Sequence, residues 1–275
     1  MNHLWLTALA DIVESLRARW FMVYTAIFGS IVVLLFVFGL TESRIMGFTG
    51  LSRLLITYIQ LTMAILPIFV LITTVRSLAG DREAGVFEYM LSLPIGLAAW
   101  FWGKMAGRFV VVFLPVFVAM LAAIIWGMVR GAEVPFALVT YYTALLMVLS
   151  WCFLGIGMLI STLARSADVA QGAAFIIWLF LVLFLDLILL GTMIREQLPA
   201  ETAVAISLAN PLQVFRTASM LLFDSQLVLL GPTAYVILDF FGRTGYLVWA
   251  LVYPLLIGSS CAALGYWLFR RSDLP

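Results

Sequence analysis

The chain has 275 residues, 65% of them hydrophobic and 11% charged, with a mean hydropathy of +1.15. Ordinary soluble domains are about 45–50% apolar, so this is the composition of an integral membrane protein. Fifteen basic and fourteen acidic side chains nearly cancel, which excludes a basic surface that holds nucleic acid by counterion release. A single histidine, His3, and two cysteines, Cys152 and Cys261, offer neither a metal-ligand spacing nor a disulfide framework.

At the amino terminus, Trp5, Leu9, Ile12, Val13, Leu16 and Trp20 recur at helical spacing, while Asp11, Glu14, Ser15 and Arg17 fill the other face. This predicts an interface helix over residues 1–19. The apolar run that follows is full length, without the short core and small-residue cleavage site of a signal peptide, so no processing is expected.

Six uncharged runs are long enough for a bilayer core of about 30 Å: Trp20 to Leu40, Leu54 to Val75, Phe109 to Val129, Val134 to Leu163, Val169 to Ile194 and Gly245 to Phe269. They are continuous, not alternating, so the spans are helical and not barrel strands. The expected fold is all-α, one membrane domain over residues 1–275 with six transmembrane helices. Arg17, Arg19, Arg76, Arg82, Lys104, Arg108, Arg165, Arg270 and Arg271 fall on one side, and Arg44, Arg53, Arg130, Arg195, Arg216 and Arg243 on the other. The richer side is cytoplasmic by the positive-inside rule, which places both termini there.

Two connections are long: a cytoplasmic segment over 76–108 and an extracytoplasmic loop over 195–244. In the first, at 100° per residue, Asp81, Glu88 and Ser92 share one helical face and Val86, Met90 and Leu93 the opposite one, ahead of Pro94. This is a short amphipathic helix, which by itself could simply join two spans. The stretch Gly96 to Met105 contains Gly-Lys but has Ala98 and Met105 where a phosphate loop needs Gly and a hydroxyl. Nucleotide therefore belongs on another chain.

Asp186 lies among leucines inside the fifth run, where an ionised carboxylate costs roughly 2.5–3.5 kcal/mol on insertion scales. It reads either as a helix-packing residue, protonated or hydrogen-bonded, or as a gating or substrate-path group. Asn210-Pro211 has the form of a helix start. The residues after it, Val214, Phe215, Ala218, Met220 and Leu221, are too apolar for a solvated helix. They need a cover, either by re-entrant packing or by docking of an extracytoplasmic partner, with Arg216, Asp224 and Arg243 as polar contacts.

Twelve methionines could suit Cu(I), but Met120, Met128, Met147, Met158 and Met193 are scattered over three helices without a nearby histidine. They read as filling. Gly103 and Gly107 form a GxxxG, Cys261 and Gly265 a small-xxx-small pair, and Pro67, Pro115 and Pro254 mark expected kinks. With His3 outside every run, no Ser–His or Cys–His dyad can sit in the membrane, which argues against an intramembrane protease or acyltransferase.

In order and position, Glu83, Gly85, Glu88, Met90, Leu91, Leu93, Pro94 and Lys104 resemble the coupling segment of ABC type-2 permeases, the membrane subunits of ABC exporters. The resemblance extends to an amino-terminal amphipathic helix, six spans and a larger loop between the last two. Gly96 and Leu97 depart from it, because many members have a basic residue there. The resemblance implies a homodimer in a bacterial inner membrane and two separate ATPase subunits that bind ATP and Mg. It gives ATPase-coupling roles to Asp81, Glu83, Gly85, Glu88, Ser92 and Pro94, and no cofactor, metal or catalytic residue to this chain. Within the family, GFT at Gly47 to Thr49, LVLFLDLILL at Leu181 to Leu190 and NPLQVFR at Asn210 to Arg216 resemble the NosY group, permeases of complexes that help mature the copper sites of nitrous oxide reductase. That likeness implies NosF-like ATPases and a NosD-like β-helical partner docking at Asn210, Pro211, Phe215, Arg216 and Met220. The alternative is a generic type-2 exporter of a lipid, drug or ion without such a partner.

Overall fold

A computed structural model describes residues 3–19, 21–27, 29–30, 50–86, 89, 95–129, 136–184, 200–223 and 232–271. Among them every regular element is helical and none is a strand. The helices are α1 (His3–Arg17), α2 (Gly50–Glu83), α3 (Leu97–Val129), α4 (Phe136–Leu163), α5 (Ala167–Leu179), α6 (Ala200–Ala209), α7 (Pro211–Phe223) and α8 (Pro232–Arg271). A π-helical turn, Phe180–Phe184, continues α5. Gly242, at φ 66° and ψ 161°, breaks α8 into two rods.

Four stretches are long and apolar enough to cross a bilayer: Thr62–Glu83, Leu97–Ala122, Val139–Leu163 and Phe241–Arg271. Of the first expected span, residues 21–27 are helical and most of the remainder lies outside the described residues. The fifth is described as far as Phe184. The expected breaks at charged residues are corrected: α2 runs through Arg76 to Glu83, and α3 already begins at Leu97. The reason is that Asp81, Glu83, Lys104 and Arg108 find partners across the helices, so the helices carry these charges without a loop. Pro67, Pro115 and Pro254 lie inside α2, α3 and α8.

Val110, Leu114, Val118, Leu121 and Ile125 of α3 are all exposed at spacings of three and four residues, the pitch of one helix face. A stripe of that composition is stable against lipid tails and not against water.

The core joins α2, α3, α4, α7 and α8. Its tightest seam is between α4 and α8, where a Cβ on Gly155 would stand 2.0 Å from the carbonyl oxygen of Gly258, and one on Gly258 would stand 2.6 Å from that of Trp151. Trp151 Nε1 donates to Ser259 Oγ across this seam at 3.0 Å, and Gly265 extends it against Leu159. Small residues let backbones approach where lipid supplies no hydrophobic drive for helix association.

Helix α1 packs on α3 through the GxxxG: a Cβ on Gly103 would meet Leu4 O at 2.6 Å, and one on Gly107 would meet Ala8 O at 2.7 Å. Asp11 and Ser15 therefore face the protein and are buried. Trp5, Leu9, Val13 and Leu16 remain exposed.

Candidate functional site

The carboxyl-terminal end of α2 meets α3, α4 and α5, and several of its polar groups are bound across these helices. Lys104 of α3 donates to the Asp81 carboxylate and to Ser77 O at 3.2 Å, and stands 5.2 Å from the centre of the Trp100 ring. With only 7% of its side chain exposed, the ammonium depends on these contacts, because a buried charge without a partner is strongly unfavourable. Trp100 in turn stacks on Phe269 at 5.6 Å, which brings the end of α8 to the same end of the bundle.

One turn along α3, the Arg108 Nε donates to Asp11 at 3.1 Å and its Nη1 to Thr73 O at 3.2 Å. Arg108 thus ties α1 to α2. Burial raises the Asp11 carboxyl above its ordinary value, against the opposing pull of Arg108 and of Lys104. Desolvation therefore exceeds charge attraction at this carboxylate.

Ser161 of α4 touches the backbone of a single turn of α2. Its hydroxyl donates to Val75 O at 2.6 Å and accepts from the N–H groups of Leu78 and Ala79, each at 3.0 Å. A side chain inserted beside one turn of a helical ladder marks a place where a helix bends. Beyond it, Glu83 accepts from Ala167 N at 3.1 Å, so that a carboxylate sits at the amino terminus of α5, where the helix dipole favours negative charge. Ser166 caps the same helix by accepting from Val169 N at 3.2 Å.

Gly85 then takes φ 67°, the left-handed conformation in which a residue without Cβ is favoured. A helical turn resumes after it, with Tyr89 N donating to Gly85 O at 3.5 Å. The positive φ at Gly85 interrupts, after Asp81, the regular 100° advance along the chain. Asp81 and Glu83 belong to α2 and are bound to the chain's own groups, whereas Glu88, Ser92 and Pro94 lie outside the described residues, as does Asp186.

At α7, Asn210 is the predicted cap. Its Oδ1 accepts from Leu212 N at 3.0 Å, and its Nδ2 donates to Leu181 O at 2.8 Å. Asn210, Pro211, Phe215 and Met220 are buried and Arg216 is half-buried. The cover comes from α2, α4 and α8: Phe215 packs on Tyr142 at 6.0 Å, and Tyr246 Oη donates to Val214 O at 3.5 Å. The chain's own helices thus cover the apolar side chains of this segment. The pairings of Asp11 with Arg108 and of Ser161 with α2 were not read from sequence, since nothing local links residues 97 or more than 80 positions apart. The small residues Gly155 and Gly258, inside apolar runs, were a usable signal of close helix contact.

A lattice of charges and hydrogen bonds thus binds the end of one spanning helix to four others, immediately before a glycine turn. Among the described residues no group of three or more His, Cys, Asp or Glu could hold a metal ion, and the lattice links several helices through direct polar contacts. The family model described as ABC-2 family transporter protein matches residues 5–274. The chain belongs to that family. It is 24% identical over 280 residues, the whole of both chains, to the probable ABC transporter permease protein NosY of Pseudomonas aeruginosa. It is also 24% identical over 230 residues, 82% of this chain and 83% of the relative, to the protein of the same name from Stutzerimonas stutzeri. The permease is thus a membrane-spanning subunit of the kind that works with separate ATPase subunits.

Proposed function

We propose that this chain is the NosY-like permease of a bacterial inner-membrane complex, a homodimer of six-span subunits that couples ATP hydrolysis on two NosF-like ATPases to work on the far side of the membrane. That work serves maturation of a copper enzyme, nitrous oxide reductase, through a NosD-like β-helical partner. The observation that carries this reading is similarity to NosY permeases over the whole chain at an unbroken family match. The lattice at the end of α2 supports the coupling step. ATP binding draws the partner ATPases together, the segment from Gly85 to Pro94 moves with them, and the bonds from Asp81, Glu83 and Arg108 tilt α2, α3, α5 and α1 as a unit. With this end cytoplasmic, both termini are cytoplasmic.

A second reading, a generic type-2 exporter of a lipid, drug or ion without an extracytoplasmic partner, has the internal burial of Phe215 and Met220 in its favour. The experiment is cysteine crosslinking from positions 88 and 89 in the assembled complex, Tyr89 being 66% exposed. Both positions are expected to reach the ATPase in at least one nucleotide state. Failure of both in every state refutes the coupling role and the orientation. Co-purification of a β-helical protein separates the two readings.

A further inference from the structure

Between α1 with the helical residues that follow it, α2 and α3 lies a cavity of about 550 Å³. Its lining changes from polar to apolar in the same direction on all three elements. On α2 it passes from Arg76 through Ile72 to Ile65, on α3 from Arg108 to Val112, and on the amino-terminal segment from Ser15 to Ile27. From residue 65 to residue 76 a helix rises about 16 Å, close to half of a bilayer core of about 30 Å. The cavity therefore has the depth and polarity gradient of one lipid leaflet.

Its polar mouth is cationic. Arg108 is matched by Asp11, but Arg76 is exposed and meets no carboxylate among the described residues, so the mouth retains a positive charge. Ser15 lines the same mouth at 4% exposure, and its hydroxyl has no hydrogen-bond partner. A buried hydroxyl left unmatched is costly, and Ser15 lines the cavity together with Arg76 and Arg108. The apolar face of α1, with Trp5, Leu9 and Val13 exposed, sets this mouth at headgroup level. Basic pockets between spanning helices are where anionic headgroups bind.

We propose that the cavity holds one anionic phospholipid of the surrounding leaflet, its phosphate between Arg76, Arg108 and Ser15 and one acyl chain along Ile72 and Ile65. The lipid wedges α1 against α2 and α3, beside the lattice that receives the ATPase stroke, and so adjusts how firmly α1 follows that stroke. The site depends on the chain lying in a membrane, not on the NosY reading.

The test is native mass spectrometry of the purified protein, titrated with phosphatidylglycerol, phosphatidylcholine or glycerol 3-phosphate. One phosphatidylglycerol per chain is expected to bind in preference to phosphatidylcholine, and Arg76→Gln should weaken it about fivefold, the worth of one interfacial arginine. Ile72→Trp, which fills the apolar wall and keeps both arginines, should also weaken it, and melting curves check that both variants remain folded. Excess glycerol 3-phosphate should not displace the lipid. Equal binding of the two lipids, or indifference to both substitutions, overturns the proposal. Displacement by glycerol 3-phosphate overturns it in favour of a soluble phosphate, and a lipid-free dimer whose second copy covers the cavity overturns it in favour of a subunit interface.

Discussion

Gly155→Ala adds one methyl group at the α4–α8 seam. That Cβ would lie 2.0 Å from Gly258 O, whereas a carbon–oxygen contact of this kind settles at roughly 3.3 Å, so the helices must part by roughly 1.3 Å. A gap of about 0.5–1 Å already forfeits a quarter to a half of each dispersion contact, so the wider parting costs at least about 1–2 kcal/mol for each buried side chain gripped between the helices. The Trp151–Ser259 hydrogen bond, 3.0 Å long, is lost as well at about 1 kcal/mol. The expected cost is about 3–5 kcal/mol, or a Tm about 6–20 °C lower for a chain of this size. Thermal unfolding of the detergent-solubilised protein, followed by loss of the dispersed species, measures it. Gly172→Ala is the control, because nothing lies within 4 Å of its added Cβ. A Gly155→Ala protein that melts with the wild type and the control would show that the seam is looser than its backbone contacts require.

Asp81→Ala strands the Lys104 ammonium and should lower stability by about 3 kcal/mol, the lower end of the cost of breaking a buried pair, since Asp81 keeps 18% of its side-chain surface. The double variant Asp81→Ala, Lys104→Met should recover most of that loss in the same melting assay, and a double variant as unstable as the single one would refute the pairing argument. The folded Asp11 carboxyl has a pKa above the ordinary value of 3.8, so the folded chain holds a proton that the unfolded chain has released. Its stabilising contribution is full below the ordinary value and is lost as pH rises through the raised one. The Tm of the wild type minus that of Asp11→Asn should therefore fall as the pH rises above the ordinary carboxylate value of 3.8, and a difference that grows with pH would reverse the balance of burial and charge at this site.

The membrane class, the approximate positions of four spans and the family were legible in the chain itself, because each rests on local information: the length of an apolar run, the charges that end it, and the order Glu83, Gly85, Glu88, Pro94, Lys104. The cap at Asn210 was legible for the same reason, since a side chain and an N–H two residues away make it. Local information could not show that α2 and α3 extend through their charged ends, because the groups that make those charges tolerable, Asp81 with Lys104 and Asp11 with Arg108, are 23 and 97 residues apart. Nor could it show what covers Phe215. An apolar helix face states that it must be buried, but whether by its own chain or by another depends on where Tyr142 and Tyr246 are carried by α4 and α8. Burial and charge compensation are properties of a position in space, so tertiary structure alone decided which of the chain's polar residues form its lattice and which of its apolar ones were left to meet lipid.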